Sequence, residues 1–64
     1  MNQQEESIKK LGKQGFREVN SFPYHPDANG NPMDESEGYV IVMVRRPNRF
    51  TREYRQVDPD GTIN

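Results

Sequence analysis

The clearest pattern in the chain is a run of six apolar residues, Tyr39–Val44, between Gly38 and a pair of arginines. The run is rich in β-branched residues and too short for a buried helix, so it predicts a strand that is apolar on both faces. Side chains alternate along a strand, which separates the run into two sets. One face receives Tyr39, Ile41 and Met43, and the other receives Val40, Val42 and Val44.

Weaker patterns on either side predict three more elements. Residues 3–14 pair acids with lysines four positions later and place Ile8 and Leu11 on one stripe, which indicates a short helix that ends at Gly15. Residues 16–22 predict a strand with imperfect alternation. Residues 50–57 follow a turn at 47–49 and predict the return arm of a hairpin. The expected fold class is α+β, with one N-terminal helix packed on a three-stranded, mostly antiparallel sheet in the order α-β-β-β.

Two segments carry turn-forming residues instead of a periodic pattern. Residues 23–37 contain three prolines, an Asn-Gly pair and four acids, which predicts a flexible acidic loop. The tail at 58–64 begins with the turn sequence Asp58-Pro59-Asp60-Gly61. Because 64 residues suffice for one domain at most, we treat residues 1–64 as a single small α+β domain.

The predicted helix can cover only one face of the central strand. The second apolar face therefore needs a cover, which is a second copy of the chain, a partner protein or the 23–37 loop folded back. The composition also favours a partner, since only 30% of the residues are hydrophobic and the core must be small. Small domains with few core residues are often stabilised by disulfides, a metal or an oligomeric interface. The chain contains no cysteine, which excludes disulfides and thiolate metal sites.

The formal net charge of -1 hides a segregation of charge along the chain. Residues 1–37 sum to -3, residues 38–57 sum to +4 and residues 58–64 sum to -2. The positive segment contains five arginines against one glutamate. A basic patch is therefore expected on the predicted hairpin.

No motif predicts catalysis or a bound cofactor. Ser21, His25 and Asp27 are the residue types of a catalytic triad. They fall in or beside a proline-rich loop, however, which lacks the rigidity that such a site needs. The loop from Asp27 matches a calcium-binding pattern at its first positions, yet Pro32 and Gly38 stand where glycine and glutamate are required. We therefore expect a protein that is not an enzyme and holds no metal.

The hairpin is the best candidate for function, and three interpretations of its arginines remain open. They can serve solubility and protect strand edges. They can form a protein interface, where arginine and tyrosine are enriched. Interleaved with aromatic residues, they can also bind single-stranded nucleic acid. The candidate partner-binding residues are Tyr39, Ile41, Met43, Arg45, Arg46, Arg49, Phe50, Arg52, Tyr54 and Arg55.

The function expected from these patterns is a small protein-interaction module, an adaptor or inhibitor of a larger protein machine. A mobile-element protein directed at host defence or transcription would fit that description. Another protein is the expected partner, with a homodimer and a nucleic-acid-binding module as alternatives. No apolar stretch reaches the roughly 18 residues that cross a bilayer, so a cytoplasmic location without membrane contact is expected.

Overall fold

The fold is a helix laid on one face of a three-stranded antiparallel sheet, as the sequence predicts. The computed structural model describes the backbone of residues 2–64 and their side chains other than that of Glu35. The sheet has the strand order β1-β2-β3, so each strand pairs with its neighbour in sequence. The elements are α1 (Gln3–Lys13), β1 (Arg17–Pro23), a 3-10 turn (Glu35–Glu37), β2 (Tyr39–Asn48) and β3 (Thr51–Val57).

Both ends of α1 are closed by local hydrogen bonds. The Asn2 side chain accepts from the Glu5 backbone N–H at 2.7 Å, which satisfies one of the free donors of the first turn. At the other end, the Phe16 N–H donates to the Leu11 carbonyl and the Gly15 N–H donates to the Gly12 carbonyl, both at 3.1 Å. This Schellman arrangement requires positive φ at Gly15, which has φ 96°. The helix therefore ends where the sequence predicts, and the chain turns directly into the sheet.

The central strand is longer than its apolar run. It continues through Arg45 and Arg46 to Asn48, and the turn lies at Arg49 and Phe50 instead of the predicted 47–49. The Asn48 side chain accepts from the Phe50 N–H at 2.8 Å and so stabilises the turn. Pro47 is tolerated because it lies in the irregular stretch of the β2–β3 register between Arg45 and Asn48.

The core lies between α1 and one face of the sheet. Met43 is 2% exposed and packs with Leu11, Phe16 and Val57. Partly buried apolar side chains extend this cluster at Ile8, Ile41 and Ile63. The face of β2 that holds Ile41 and Met43 is therefore the face that the helix covers.

The tail pairs back onto β3, a contact that the turn sequence alone did not reveal. Gln56 and Asn64 exchange backbone hydrogen bonds of 3.0 and 2.8 Å. At the turn, Gly61 has φ 92°, and its carbonyl accepts from the Ser7 hydroxyl at 2.6 Å. A side chain at this position would lie 2.8 Å from the Gln3 carbonyl oxygen. The tail thus lies tightly against the first turns of α1.

The segment between β1 and β2 contains local turns. The Asp27 carboxylate accepts from the backbone N–H groups of Asn29 and Asn31, and a single antiparallel bridge joins Pro26 to Pro32. The Tyr24 N–H donates to the Gly38 carbonyl at 3.1 Å, which closes the segment at its base. No helix within residues 2–64 is long and apolar enough to span a membrane.

Candidate binding surface on the open face of the sheet

The sheet has a second face that α1 does not cover. The β1–β2 register pairs Val44 with Arg17 and Val40 with Phe22, and the β2–β3 register pairs Val44 with Tyr54. Paired residues of an antiparallel sheet point to the same side, so these side chains lie opposite the helix. We call this the open face. Pairing places Arg17, Asn20, Phe22, Val40, Val42, Val44, Tyr54 and Gln56 on this face. Alternation along β2 and β3 adds Arg46 and Arg52, which follow Val44 and precede Tyr54 by two residues.

The middle of the open face is apolar and partly uncovered. Val42 and Val44 are half-buried, and the flanking rings of Phe22 and Tyr54 are 36% and 54% exposed. Val40 is buried, although it is not part of the core cluster beneath α1. Exposed aromatic side chains beside aliphatic ones are the usual centre of a protein interface.

Three exposed arginines surround this apolar middle. Arg17 lies on β1, Arg46 on β2 and Arg52 on β3. None of them forms an ion pair within residues 2–64. None of the strand residues on the open face is an aspartate or glutamate, so their charge is not balanced on that face.

Arg45, the neighbour of Arg46, has a different environment on the helix side. Its guanidinium donates to both carboxylate oxygens of Glu53 at 2.9 and 3.0 Å and to the Gln14 carbonyl at 3.1 Å. The guanidinium also lies 4.7 Å from the centre of the Phe16 ring. Its buried Nε has no hydrogen-bond partner within residues 2–64, which offsets part of the gain. Arg45 therefore links the end of α1 to the sheet.

Arg55 lies on the same side as Arg45. Its guanidinium is 5.4 Å from the Phe16 ring centre and 3.8 Å from the Glu53 carboxylate. It also donates to the Tyr54 carbonyl at 2.7 Å. The predicted arginine patch is thus divided, because Arg45 and Arg55 cover the core while Arg46 and Arg52 lie on the open face.

At the tip of the β2–β3 hairpin, Arg49 lies in a third kind of environment. Phe50 is 88% exposed, and the Arg49 guanidinium lies 5.9 Å from its ring centre. Since β1 reaches only to the level of Val44, this tip projects beyond the first strand. The tip therefore presents an aromatic ring and a positive charge to solvent.

The remaining predicted site residues lie on the covered side of β2. Met43 belongs to the core, and Ile41 packs against it. Tyr39 is 41% exposed, and its carbonyl accepts from the Gln4 side chain at 2.6 Å. Met43 therefore cannot contact a partner while α1 stays in place, and Ile41 is partly covered beside it.

Charge is segregated along the strands as well as between the faces. All six arginines occupy the half of the sheet from Met43 to the hairpin tip. The opposite end holds the acidic segment 27–37 and the tail, which meet where Pro59 lies beside Gly38. Hydrogen bonds from the Ser36 side chain and backbone hold the pKa of Asp34 below its usual value. The Thr62 backbone N–H has the same effect on the pKa of Asp60.

The residues considered for catalysis do not assemble into a triad. His25 Nδ1 lies 2.6 Å from the Glu37 carboxylate, while Asp27 accepts from backbone N–H groups of its own turn. The Ser21 backbone N–H donates to the Asn20 side-chain oxygen at 2.9 Å. Among the side chains that the structure describes, no cluster of three or more metal-binding groups is present.

Arg17 is the open-face residue that sequence reasoning did not place with the hairpin. It precedes β2 by more than twenty residues, and only strand pairing brings it beside Val44. Comparison of the chain with family models, with curated proteins and with solved structures gives no match.

Proposed function

We propose that this chain is a small non-enzymatic binding protein that acts as an adaptor or inhibitor by covering part of a partner protein. The observation that carries this proposal is the open face itself. The fold leaves Tyr54, Phe22 and two half-buried valines uncovered there, and it surrounds them with arginines that have no ion pair within residues 2–64. The binding residues in this proposal are Arg17, Val42, Val44, Arg46, Arg52 and Tyr54.

The composition of the sheet favours a protein partner. Protein interfaces are enriched in tyrosine and arginine and depleted in lysine. The three strands contain arginines but no lysine, since the lysines all lie on α1. The apolar middle of the open face also matches an interface with an apolar centre and a charged rim. A cytoplasmic protein complex is the setting we propose.

A nucleic-acid-binding module is the second candidate, and one specific observation supports it. Phe50 and Tyr54 are exposed rings separated by Arg52, which is an arrangement that can stack bases and contact phosphates. The apolar middle of the face argues for the protein partner, because a nucleic-acid groove uses its surface for phosphate and base contacts.

The experiment that tests the proposal is capture from the source lysate with matched charge variants. The open-face variant carries Arg46→Gln and Arg52→Gln, and the control carries Lys10→Gln and Lys13→Gln, which removes the same charge from exposed positions on α1. We expect a nuclease-resistant protein to be retained by the native chain and by the control and to be lost from the open-face variant. Circular dichroism of each variant verifies the fold.

Two results would contradict the proposal. Retention that disappears on nuclease treatment would replace it with the nucleic-acid candidate. A protein that the open-face variant still retains as well as the native chain would place the binding surface elsewhere.

A further inference from the structure

We infer that the partner surface recognised by the open face is an acidic protein segment in which carboxylates flank apolar residues. This inference rests on the proposed function and specifies the chemistry of the partner. The fold places Arg17, Arg46 and Arg52 on one side of the sheet, with one arginine on each strand. A partner that buries this face must supply carboxylates to them, because burying unpaired guanidinium groups is costly.

The acidic end of the molecule does not neutralise these arginines. At the usual rise of about 3.3 Å per strand residue, Arg46 lies about 23 Å from Tyr39 along β2, and Arg17, which pairs with Val44, lies at a level about 17 Å from Tyr39. Screening at physiological salt acts over about 8 Å. The segment 27–37 and the tail lie at the Tyr39 end of β2, whereas Arg46 and Arg52 lie near its Asn48 end. An approaching partner therefore meets a positive surface although the net charge of the chain is -1.

A second copy of the chain is a poor occupant of the open face. A two-fold dimer buries the same face on both copies. The strand residues of the open face include no aspartate or glutamate, so a second copy offers its arginines no strand carboxylate. Strand addition at the free edge of β1 is also opposed. The Ser21 N–H is occupied by the Asn20 side chain at 2.9 Å, and the register is irregular at Val19. The lack of carboxylates on the open face therefore favours a different molecule that carries them.

Arginine chemistry specifies the acidic groups further. A guanidinium can hold a carboxylate with two parallel hydrogen bonds. Within this protein, Arg45 pairs with Glu53 through Nη2, which donates to both carboxylate oxygens. Between the arginines, Val42, Val44 and Tyr54 present apolar surface, which a segment made only of charged residues would leave exposed to water. The fitting segment therefore places apolar side chains over the valines and carboxylates at the rim.

The test is fluorescence anisotropy with defined probes. The first probe is a fluorescein-labelled peptide in which glutamates flank two central leucines, and its matched control has glutamine in place of every glutamate. Labelled oligothymidylate is the third probe. We expect the acidic peptide to bind about tenfold or more tightly than the glutamine peptide, with an affinity that falls as salt is raised. Binding should be lost in the Arg46→Gln/Arg52→Gln variant and kept in the Lys10→Gln/Lys13→Gln control.

Three results would overturn the inference. Equal affinity for the acidic and glutamine peptides would remove the carboxylate requirement. Tighter binding of oligothymidylate than of the acidic peptide would assign the face to nucleic acid. Failure of both peptides, with protein capture from the lysate still dependent on Arg46 and Arg52, would reject acidic recognition and leave the proposed function standing.

Discussion

Both faces of the sheet carry aromatic and arginine side chains, but these side chains are buried or paired on one face and exposed on the other. On the covered face, Phe16 is 3% exposed beneath two guanidinium groups, and Met43 and Val57 are buried beside it. On the open face, Phe22 and Tyr54 have similar size but remain exposed. The covered face therefore holds most of the buried core, while the open face, apart from the buried Val40, leaves its apolar side chains partly exposed.

The arginines show the same contrast over a single step of the chain. Arg45 has its guanidinium on Glu53, on the Gln14 carbonyl and over Phe16. Arg46 points to the other side and is exposed. Residue type alone therefore does not distinguish an arginine that stabilises the fold from one that is available to a partner.

The largest expected effects come from three phenylalanines in different environments. Phe16→Ala should lower the free energy of unfolding by about 3–5 kcal/mol, because it empties the core. Phe22→Ala on the open face should cost about 1–2 kcal/mol. Phe50→Ala at the exposed tip should stay within about 0.5 kcal/mol of the native chain. Urea denaturation followed by circular dichroism measures all three.

The ranking of these three variants is the decisive result. A small domain has about 3–5 kcal/mol of total stability, so Phe16→Ala should be largely unfolded in buffer. If Phe22→Ala were as damaging as Phe16→Ala, the open face would be part of the folding core and the contrast between the faces would be wrong.

The tail contact with α1 should give the next largest effect. Gly61→Ala places a methyl group 2.8 Å from the Gln3 carbonyl oxygen at φ 92°, so we expect a loss of about 2–3 kcal/mol. Gly30→Ala is the matched control, because it has φ 84° but no atom within 4 Å. It should cost only the backbone strain of about 1 kcal/mol. Equal unfolding midpoints for the two variants would show that the tail does not pack against the helix as described.

A smaller difference is expected between the adjacent arginines. Arg45→Gln removes the paired hydrogen bonds to Glu53 and the contact with Phe16, so it should lower the free energy of unfolding by about 1–2 kcal/mol. Arg46→Gln removes the same charge but no contact of this kind and should stay within about 0.5 kcal/mol. Thermal and urea denaturation of the two variants measures the difference.

The smallest effect concerns acid pH. The pKa values of Asp34 and Asp60 are lower in the folded chain than their ordinary values, because backbone and hydroxyl groups donate to their carboxylates. Their contribution to stability is therefore present above about pH 4 and lost as the pH falls through the lowered folded-state values. The Asp34→Asn/Asp60→Asn variant should lose less stability than the native chain between pH 5 and pH 2. Parallel acid titrations followed by circular dichroism test this, and identical curves would contradict it.

Much of the fold could be predicted from local patterns. The Tyr39–Val44 run predicts the central strand because a short apolar run rich in β-branched residues and bounded by turn residues is typical of a buried strand. Gly15 predicts the end of α1 because the chain needs positive φ there. The extension of β2 to Asn48 was missed because Pro47 indicates a turn, and its place in an irregular register is visible only once the strands are paired.

The candidate surface was only partly predictable. Alternation correctly separates Arg52 from Arg55, and it places Met43 opposite Val44. It does not say which face the helix covers, and the structure places Met43 and Ile41 beneath α1. Arg17 joins the surface through pairing across the sheet, a long-range contact that carries no local signal.

The fold thus holds Arg45 and Arg55 on the covered face and leaves Arg46 and Arg52 on the open face exposed. Modification of the native protein with phenylglyoxal, followed by mass spectrometry of peptides, measures the reaction rate of each arginine. We expect Arg46 and Arg52 to react much faster than Arg45, and the difference to disappear in urea. Arg45 reacting as fast as Arg46 in the folded protein would contradict it.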